Sequence, residues 1–286
     1  MIYSALNRGL YKSINILGGV LNMTVKLIAA DMDGTLLDSN KKLSPYLFDL
    51  VKKLKEKQVK FAIASGRQYF NLLENFQDIK EDLVYISDNG SIVYDSGKSI
   101  YVDEINNEEV RKALKDVRQG EGMYPILCGV ESAYVENDNE IFLENARMYY
   151  AKLEMVEDLM DVLEKDKICK LAVFDEVDAE NNAFKLLEKY SENLMVCLSG
   201  HNWVDLMNLG VNKGKAIKII QENYNISYEE TMAFGDYLND YEMMQSCKYS
   251  YAMENAHPKL KEVCNYIAKS NDDDGVVHAI KEYFKL

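Results

Sequence analysis

The sequence predicts an α/β fold: a doubly wound, mainly parallel Rossmann-like core sheet with an inserted α+β cap domain. Three observations predict it. Apolar runs of strand length alternate with amphipathic helices from Val25 to about residue 104, and again from about residue 206 to the end. Between those stretches, adjacent strands are joined by tight turns, the pattern of an antiparallel sheet with helices on one face. The first apolar run, Val25 to Ala30, ends on Asp31-Met32-Asp33-Gly34-Thr35. Strand side chains alternate faces, so the two carboxylates point the same way at the end of a buried strand. In open α/β sheets that end is where ligands bind. Two acids held so close repel each other unless a cation sits between them or one is protonated.

The elements follow in order. Ser44-Pro45 is a helix-start signal, and Leu47, Leu50, Val51 and Leu54 repeat at helical spacing as far as Gln58. Val59 to Ala64 reads as a strand that stops at Ser65-Gly66-Arg67, with a helix over Tyr69 to Phe76. A third strand, Leu83 to Ser87, meets the turn signal Asp88-Asn89-Gly90. Ile92 to Tyr94 and Ile100 to Val102 form a hairpin around Asp95-Ser96-Gly97.

The inserted domain is expected over 105–205. It has a helix from Asn107 to Val117, paired strands at Tyr124 to Cys128 and Ser132 to Val135, and charged helices between Ile141 and Lys165. A strand (Ile168 to Phe174), a helix (Ala179 to Tyr190) and two strands (Leu194 to Leu198, Trp203 to Leu209) complete it. The core is then expected over 23–104 and 206–286. Its second part has a helix from Lys213-Gly214, a strand from Thr231 to Phe234 ending on Gly235-Asp236, a helix over Asp240 to Met244, a strand from Tyr249 to Met253 and a closing helix from Val276 to Phe284.

Residues 1–22 are expected to be an N-terminal extension. Arg8 and Lys12 precede a short apolar patch, Ile14 to Val20, but Gly18-Gly19 breaks it and no small-x-small cleavage site follows.

At 286 residues the chain is long enough for two domains and a sizeable core. Its formal charge of -14 argues against nonspecific binding to nucleic acid or an anionic membrane. No apolar run approaches the length that spans a bilayer. An anionic substrate must therefore be met by a local positive site. The five cysteines (Cys128, Cys169, Cys197, Cys247, Cys264) include no C-x-x-C pair, and free thiols suit a reducing cytoplasm. His201, His257 and His278 form no metal-ligand pattern. The 20 tyrosines read as packing residues.

Four signals carry the chemistry: Asp31-x-Asp33-Gly34-Thr35; Ser65-Gly66-Arg67; Lys213-Gly214; and Gly235-Asp236-x-x-Asn239-Asp240. If the strands are parallel, the first, second and fourth converge at one sheet edge, and Lys213 reaches the same point from a helix start. With this order and spacing the chain resembles the haloacid dehalogenase superfamily of aspartate-nucleophile phosphatases, in its Cof-type branch (subclass IIB, with a C2 cap). The resemblance covers nearly everything from Met23 to Leu286. Ala252-Met253-Glu254-Asn255-Ala256 and Asn271-Asp272-Asp273-Asp274-Gly275-Val276 fit that branch as well. Two positions depart from it. Glu254 replaces the usual glycine and is expected near the entrance of the site, and Ser65 stands where many relatives have threonine.

The resemblance implies a role for each residue. Asp31 is the nucleophile, and Asp33 the general acid and then the base. Mg²⁺ is the implied cofactor, held by Asp31, Asp236 and the main-chain carbonyl of Asp33. Ser65, Gly66 and Lys213 bind the phosphate. Asn239 contacts the phosphate or orients a ligand of the metal. Asp240 positions Lys213 or a metal-bound water, and Thr35 braces the turn. Asn89 reads as a turn residue or a site residue. Arg67 reads as pairing with an acid on its helix and stays outside the site.

The implied activity is hydrolysis of small phosphorylated metabolites, such as sugar phosphates or phosphorylated cofactors, through an aspartyl-phosphate, with the insertion as a lid. A phosphosugar mutase or phosphotransferase of the phosphomannomutase type shares the nucleophile. A phospho-aspartate switch also combines clustered acids with Mg²⁺ and a lysine, but it has no cap. The physiological substrate and the oligomeric state are left open.

Overall fold

The strand-to-helix rhythm at both ends of the chain builds one sheet, and the middle builds another. The structure is a computed structural model that describes residues 24–286. The extension expected over 1–22 lies outside the described residues. The first part of the core contributes β1 (Leu27–Asp31), β2 (Lys60–Ala64), β3 (Leu83–Ser87), β4 (Ile92–Asp95) and β5 (Lys98–Val102), with helices α1 (Leu47–Glu56) and α2 (Tyr69–Asn75). The middle contributes β6 (Met123–Gly129), β7 (Ala133–Val135), β8 (Leu153–Met155), β9 (Ile168–Asp175), β10 (Leu194–Gly200) and β11 (Trp203–Asn208), with α3 (Asn107–Val117), α4 (Glu140–Tyr149), α5 (Leu159–Val162) and α6 (Ala183–Leu187). The last part adds β12 (Thr231–Gly235), β13 (Tyr249–Met253) and β14 (Tyr266–Ala268), with α7 (Lys213–Tyr224), α8 (Tyr241–Gln245), α9 (Pro258–Val263) and α10 (Gly275–Phe284).

The first sheet runs β14-β13-β12-β1-β2-β3-β4-β5, parallel from β14 to β3 and antiparallel through the β4–β5 hairpin. All five residues of β1 are buried, as expected of a strand covered on both faces. The hairpin turn places Ser96 at φ 51° and Gly97 at φ 74°, the primed geometry that matches strand twist. The chain passes from β1 to β2 and β3 on one side, and β12 later returns on the other. The switch point therefore lies at β1 itself, with Leu27 in register with both Lys60 and Thr231.

The second sheet runs β10-β11-β9-β6-β7-β8 and is antiparallel except for the β7–β8 pair. One face buries Leu127, Leu171, Val173, Val204 and Leu206 with residues of α3, α5 and α6. The other carries Ile126, Ala172, Phe174 and Trp203, which belong to one continuous apolar cluster with the first sheet. Where the chain crosses between sheets, Asn208 Nδ2 donates to Asp103 Oδ1 at 2.7 Å, and Lys215 Nζ lies 2.5 Å from Asp103 Oδ2.

Three expectations are corrected. The stretch expected as charged helices between Ile141 and Lys165 also contains β8, whose sequence Leu-Glu-Met has too short an apolar pattern to read as a strand. The helix expected over Ala179 to Tyr190 is shorter. The buried Asp175 carboxylate accepts backbone N–H groups from Val177, Asp178 and Ala183, which holds the start of that segment as a loop. The sequence reading also passed over α9 and β14.

Candidate active site

The switch point brings the ends of β1, β2 and β12 side by side. Asp31 closes β1 and is 5 % exposed. Lys213 is the first residue of α7 and fully buried, an unfavourable place for a cation because the helix dipole is positive there. Two carboxylates offset that cost. Lys213 Nζ lies 2.5 Å from Asp31 Oδ1 and 2.6 Å from Asp240 Oδ1. Burial lowers the affinity of this lysine for its proton, but Asp240 and then Asp31 more than reverse that, and the ammonium is held charged. The adjacent Gly214 makes the placement possible. A Cβ there would lie 2.3 Å from the Glu242 carbonyl oxygen, so glycine lets α7 approach α8 closely enough to deliver Lys213.

Asp240 is a positioning residue. Its Oδ2 accepts the N–H groups of Asp236 and Tyr237 at 3.0 and 3.3 Å, which fixes the turn after β12. Asp236 in turn accepts from the Thr35 hydroxyl at 3.3 Å. Gly34, at φ +76°, has no room for a side chain: a Cβ would lie 2.3 Å from Asp236 Oδ2. The two acid-bearing turns thus interlock.

Burial raises the Asp31 carboxyl well above its ordinary pKa; Lys213 opposes this, while Asp240 and Asp236 add to it. Burial, followed by repulsion from Asp240, pushes Asp236 up to about 6. Oxygens of Asp31, Asp236 and Asp240 lie within 4.8 Å of one another. Asp240 has both oxygens committed, so the carboxylates open to a cation are those of Asp31 and Asp236. This crowding of acids with few counter-charges fits a hard divalent ion taking oxygen ligands.

Asp33 stands apart, with its side chain 41 % exposed. Arg67 grips it with two hydrogen bonds, Nε to Oδ2 at 2.9 Å and Nη2 to Oδ1 at 2.8 Å, and Lys41 Nζ adds one at 3.1 Å. Burial alone would raise the Asp33 carboxyl, but Arg67 and then Lys41 bring it below the usual range. Arg67 therefore belongs in the site, contrary to the reading that paired it with an acid on its own helix. Its partner lies 34 residues away, beyond any local pattern.

Ser65 is buried, and its hydroxyl accepts the Arg67 N–H at 3.2 Å, so it shapes the loop after β2 as well as facing the cavity. Gly66 lies beside it at the cavity wall. Asn239 donates to Asn89 at 3.2 Å, which brings both asparagines to the rim. Glu254, expected near the entrance, is not among the described residues lining the cavity; its carbonyl accepts from Lys261. Its neighbour Asn255 reaches the site indirectly, donating to the Gly34 carbonyl at 2.8 Å.

The cavity measures about 640 Å³ and extends from Asp31, Asp33 and Asp236 to the second sheet, where Lys170, Ser199, Trp203 and Asp205 line it. Such a volume exceeds what a phosphate needs and leaves space for an organic group. A family model described as haloacid dehalogenase-like hydrolase matches residues 28–280. The chain belongs to the haloacid dehalogenase-like hydrolases. It is 31 % identical over 266 residues to the 5-amino-6-(5-phospho-D-ribitylamino)uracil phosphatase YbjI of Escherichia coli, covering 92 % of this chain and 97 % of that one. It is 25 % identical over 282 residues to the phosphatase YwpJ of Bacillus subtilis, covering 90 % and 99 %. The crystal structure of TM0651 from Thermotoga maritima superposes with a TM-score of 0.82 at 26 % identity, over 91 % of this chain and 97 % of that one. This hydrolase is a phosphatase enzyme. Among its described residues no helix is long and apolar enough to cross a membrane.

Lys170 and Asp205 escaped the sequence reading. The signal was present: each is a lone charge inside an otherwise apolar strand, Ile168 to Phe174 and Trp203 to Leu206.

Proposed function

We propose that this hydrolase removes phosphate from small phosphorylated metabolites with Mg²⁺, through a phosphoryl group carried on Asp31. The observation that carries the reading is the Asp31 carboxylate at the end of β1, with one oxygen held by the buried Lys213 and an organic-sized cavity opening beside it. The chemistry balances in two steps. An Asp31 oxygen attacks phosphorus, and the bond from phosphorus to the leaving alcohol oxygen breaks as Asp33 gives that oxygen a proton. Asp33 then takes a proton from water, which attacks phosphorus and releases inorganic phosphate, restoring Asp31.

Arg67 and Lys41 favour the ionised form of Asp33, the one needed to activate water. For the first step the carboxyl must turn from Arg67 toward the leaving oxygen. Ser65, Gly66, Lys213 and Asn239 surround the phosphate. Asp31, Asp236 and the Asp33 carbonyl would hold the metal, and bound Mg²⁺ supplies the positive charge that lets phosphate approach the Asp31 carboxylate. The Escherichia coli relative is named for a phosphorylated ribityl compound, and small organic phosphates of that kind are the substrates proposed here.

The experiment is phosphate release by the purified protein from a panel of phosphomonoesters with Mg²⁺. Asp31→Asn should lower kcat by about 10³-fold or more, given that removing a covalent nucleophile forfeits most of the catalysis. Activity that survives in a folded variant would overturn the mechanism.

A further inference from the structure

We propose that Lys170 and Asp205 on the second sheet are specificity-determining residues that read an uncharged, hydroxyl-bearing leaving group and reject a second anionic group. The inference rests on the phosphatase reading of the same cavity and adds to it what lies beyond the phosphate.

Three strands aim side chains at one place. The pairing of β6 with β9 slips between Cys128 and Gly129: Cys128 faces Lys170 while Gly129 faces Ile168, leaving Cys169 as the extra residue of a bulge. Beyond the bulge the pairing is regular, and Lys170 shares the face of Ala172 and Phe174, which is turned to the first sheet. Asp205 and Trp203 share that face on β11, as does Ser199 on β10, and all four line the cavity. Lys170 and Asp205 are 6 % and 8 % exposed, far below what is usual for such residues.

A buried ammonium and a buried carboxylate each require partners. Lys170 Nζ lies 2.8 Å from Asp88 Oδ1, an ion pair that joins the two sheets. It has three protons, so donors remain for the cavity. Asp205 lies beside Ser199 at the cavity wall and is drawn toward Lys170 at longer range, leaving acceptor capacity on its carboxylate. A hydroxyl satisfies both residues at once, accepting from Lys170 and donating to Asp205.

Charge sets the selection. Asp88 and Asp205 together offset the one positive charge of Lys170, so this end of the cavity offers no free cation to a carboxylate or second phosphate. Such a group would meet Asp205 in a desolvated setting. Trp203 supplies an apolar surface for the carbon face of a sugar or polyol.

The test compares kcat/KM for ribitol 5-phosphate and glucose 6-phosphate with fructose 1,6-bisphosphate and 3-phosphoglycerate, in the wild type and in the near-isosteric Asp205→Asn. The wild type should favour the neutral monophosphates by about tenfold or more, the order of one lost hydrogen bond to a charged group. Asp205→Asn should shrink that ratio by about tenfold. Lys170→Gln removes a donor to the hydroxyl and should lower kcat/KM for the neutral monophosphates without admitting the anionic ones, and its melting temperature, read alongside, separates loss of recognition from loss of the Asp88 pair. A wild type that prefers the bisphosphate or the carboxylate, or a folded Asp205→Asn with an unchanged ratio, would overturn the proposal. Absence of phosphate release from every compound, p-nitrophenyl phosphate included, would instead remove the phosphatase reading beneath it.

Discussion

Lys213 shows how a single residue commits a fold to a function. A lysine without solvent contact, at the positive end of a helix, is stable there because Asp31 and Asp240 flank it. The arrangement stabilises no apolar core; it fixes the Asp31 carboxyl beside the cavity. Removing the cation would leave two buried carboxylates in mutual repulsion. Lys213→Met is therefore expected to destabilise the protein by about 3–5 kcal/mol, the usual cost of breaking a buried pair from one side. Urea unfolding at pH 7 measures this, and an unchanged midpoint would contradict it. Asp33 contrasts with Asp31. Two residues further along the chain, it is partly exposed and held mainly by a guanidinium, with the Lys41 ammonium adding one contact. Their different environments fit the division of attack and proton transfer proposed above.

At the scale of elements, the crossing between sheets is held by Asp103. Burial would raise its carboxyl, but hydrogen bonds from Lys215, Asn208 and Tyr101 bring it below the usual range. A carboxyl depressed in the fold adds stability that is present above its unfolded pKa, about 3.9, and is lost as pH falls through the depressed value. Asp103→Asn is expected to cost about 1–3 kcal/mol at pH 7 and to flatten the loss of stability on acidification below about pH 4. Melting temperatures from pH 7 to pH 3 check both effects; an unaltered acid slope would count against them. The same scale separates what the sequence reveals from what it hides. Asp31, Asp33, Asp236 and Asp240 were legible because each sits within a few residues of a strand end, where local spacing sets direction. Arg67 was not, because its role depends on a partner in another turn. Nor was Lys170, because which face of its strand meets the first sheet depends on how the two sheets pack. The three-residue β8 and β14 lack enough length for periodicity to appear.

In the whole molecule the two sheets are joined by polar contacts beside the cavity. Gln68 makes a reciprocal pair with the Lys152 backbone, donating to its carbonyl at 2.9 Å and accepting its N–H at 3.1 Å. The Tyr94 hydroxyl donates to the Val130 carbonyl at 2.8 Å. Gln68 follows Arg67 directly, so the contact that seats the second sheet adjoins the residue holding Asp33. Gln68→Ala is expected to speed hydrogen exchange at the Lys152 amide by about tenfold, equivalent to about 1.4 kcal/mol of local opening. Exchange at wild-type rate would mean that the pair does not restrain the sheet. The contact between Asn208 and Asp103 carries a further consequence. The chain crosses to the second sheet and back at neighbouring points, so the whole excursion closes like a short loop whose ends are already pinned. The entropy of closing a loop grows only with the logarithm of its length. Residues added to or removed from the outer module would therefore change the conformational freedom of the unfolded chain slightly and leave the geometry around Asp31 untouched. The outer wall of the cavity can vary in size and shape without disturbing the acids at its base.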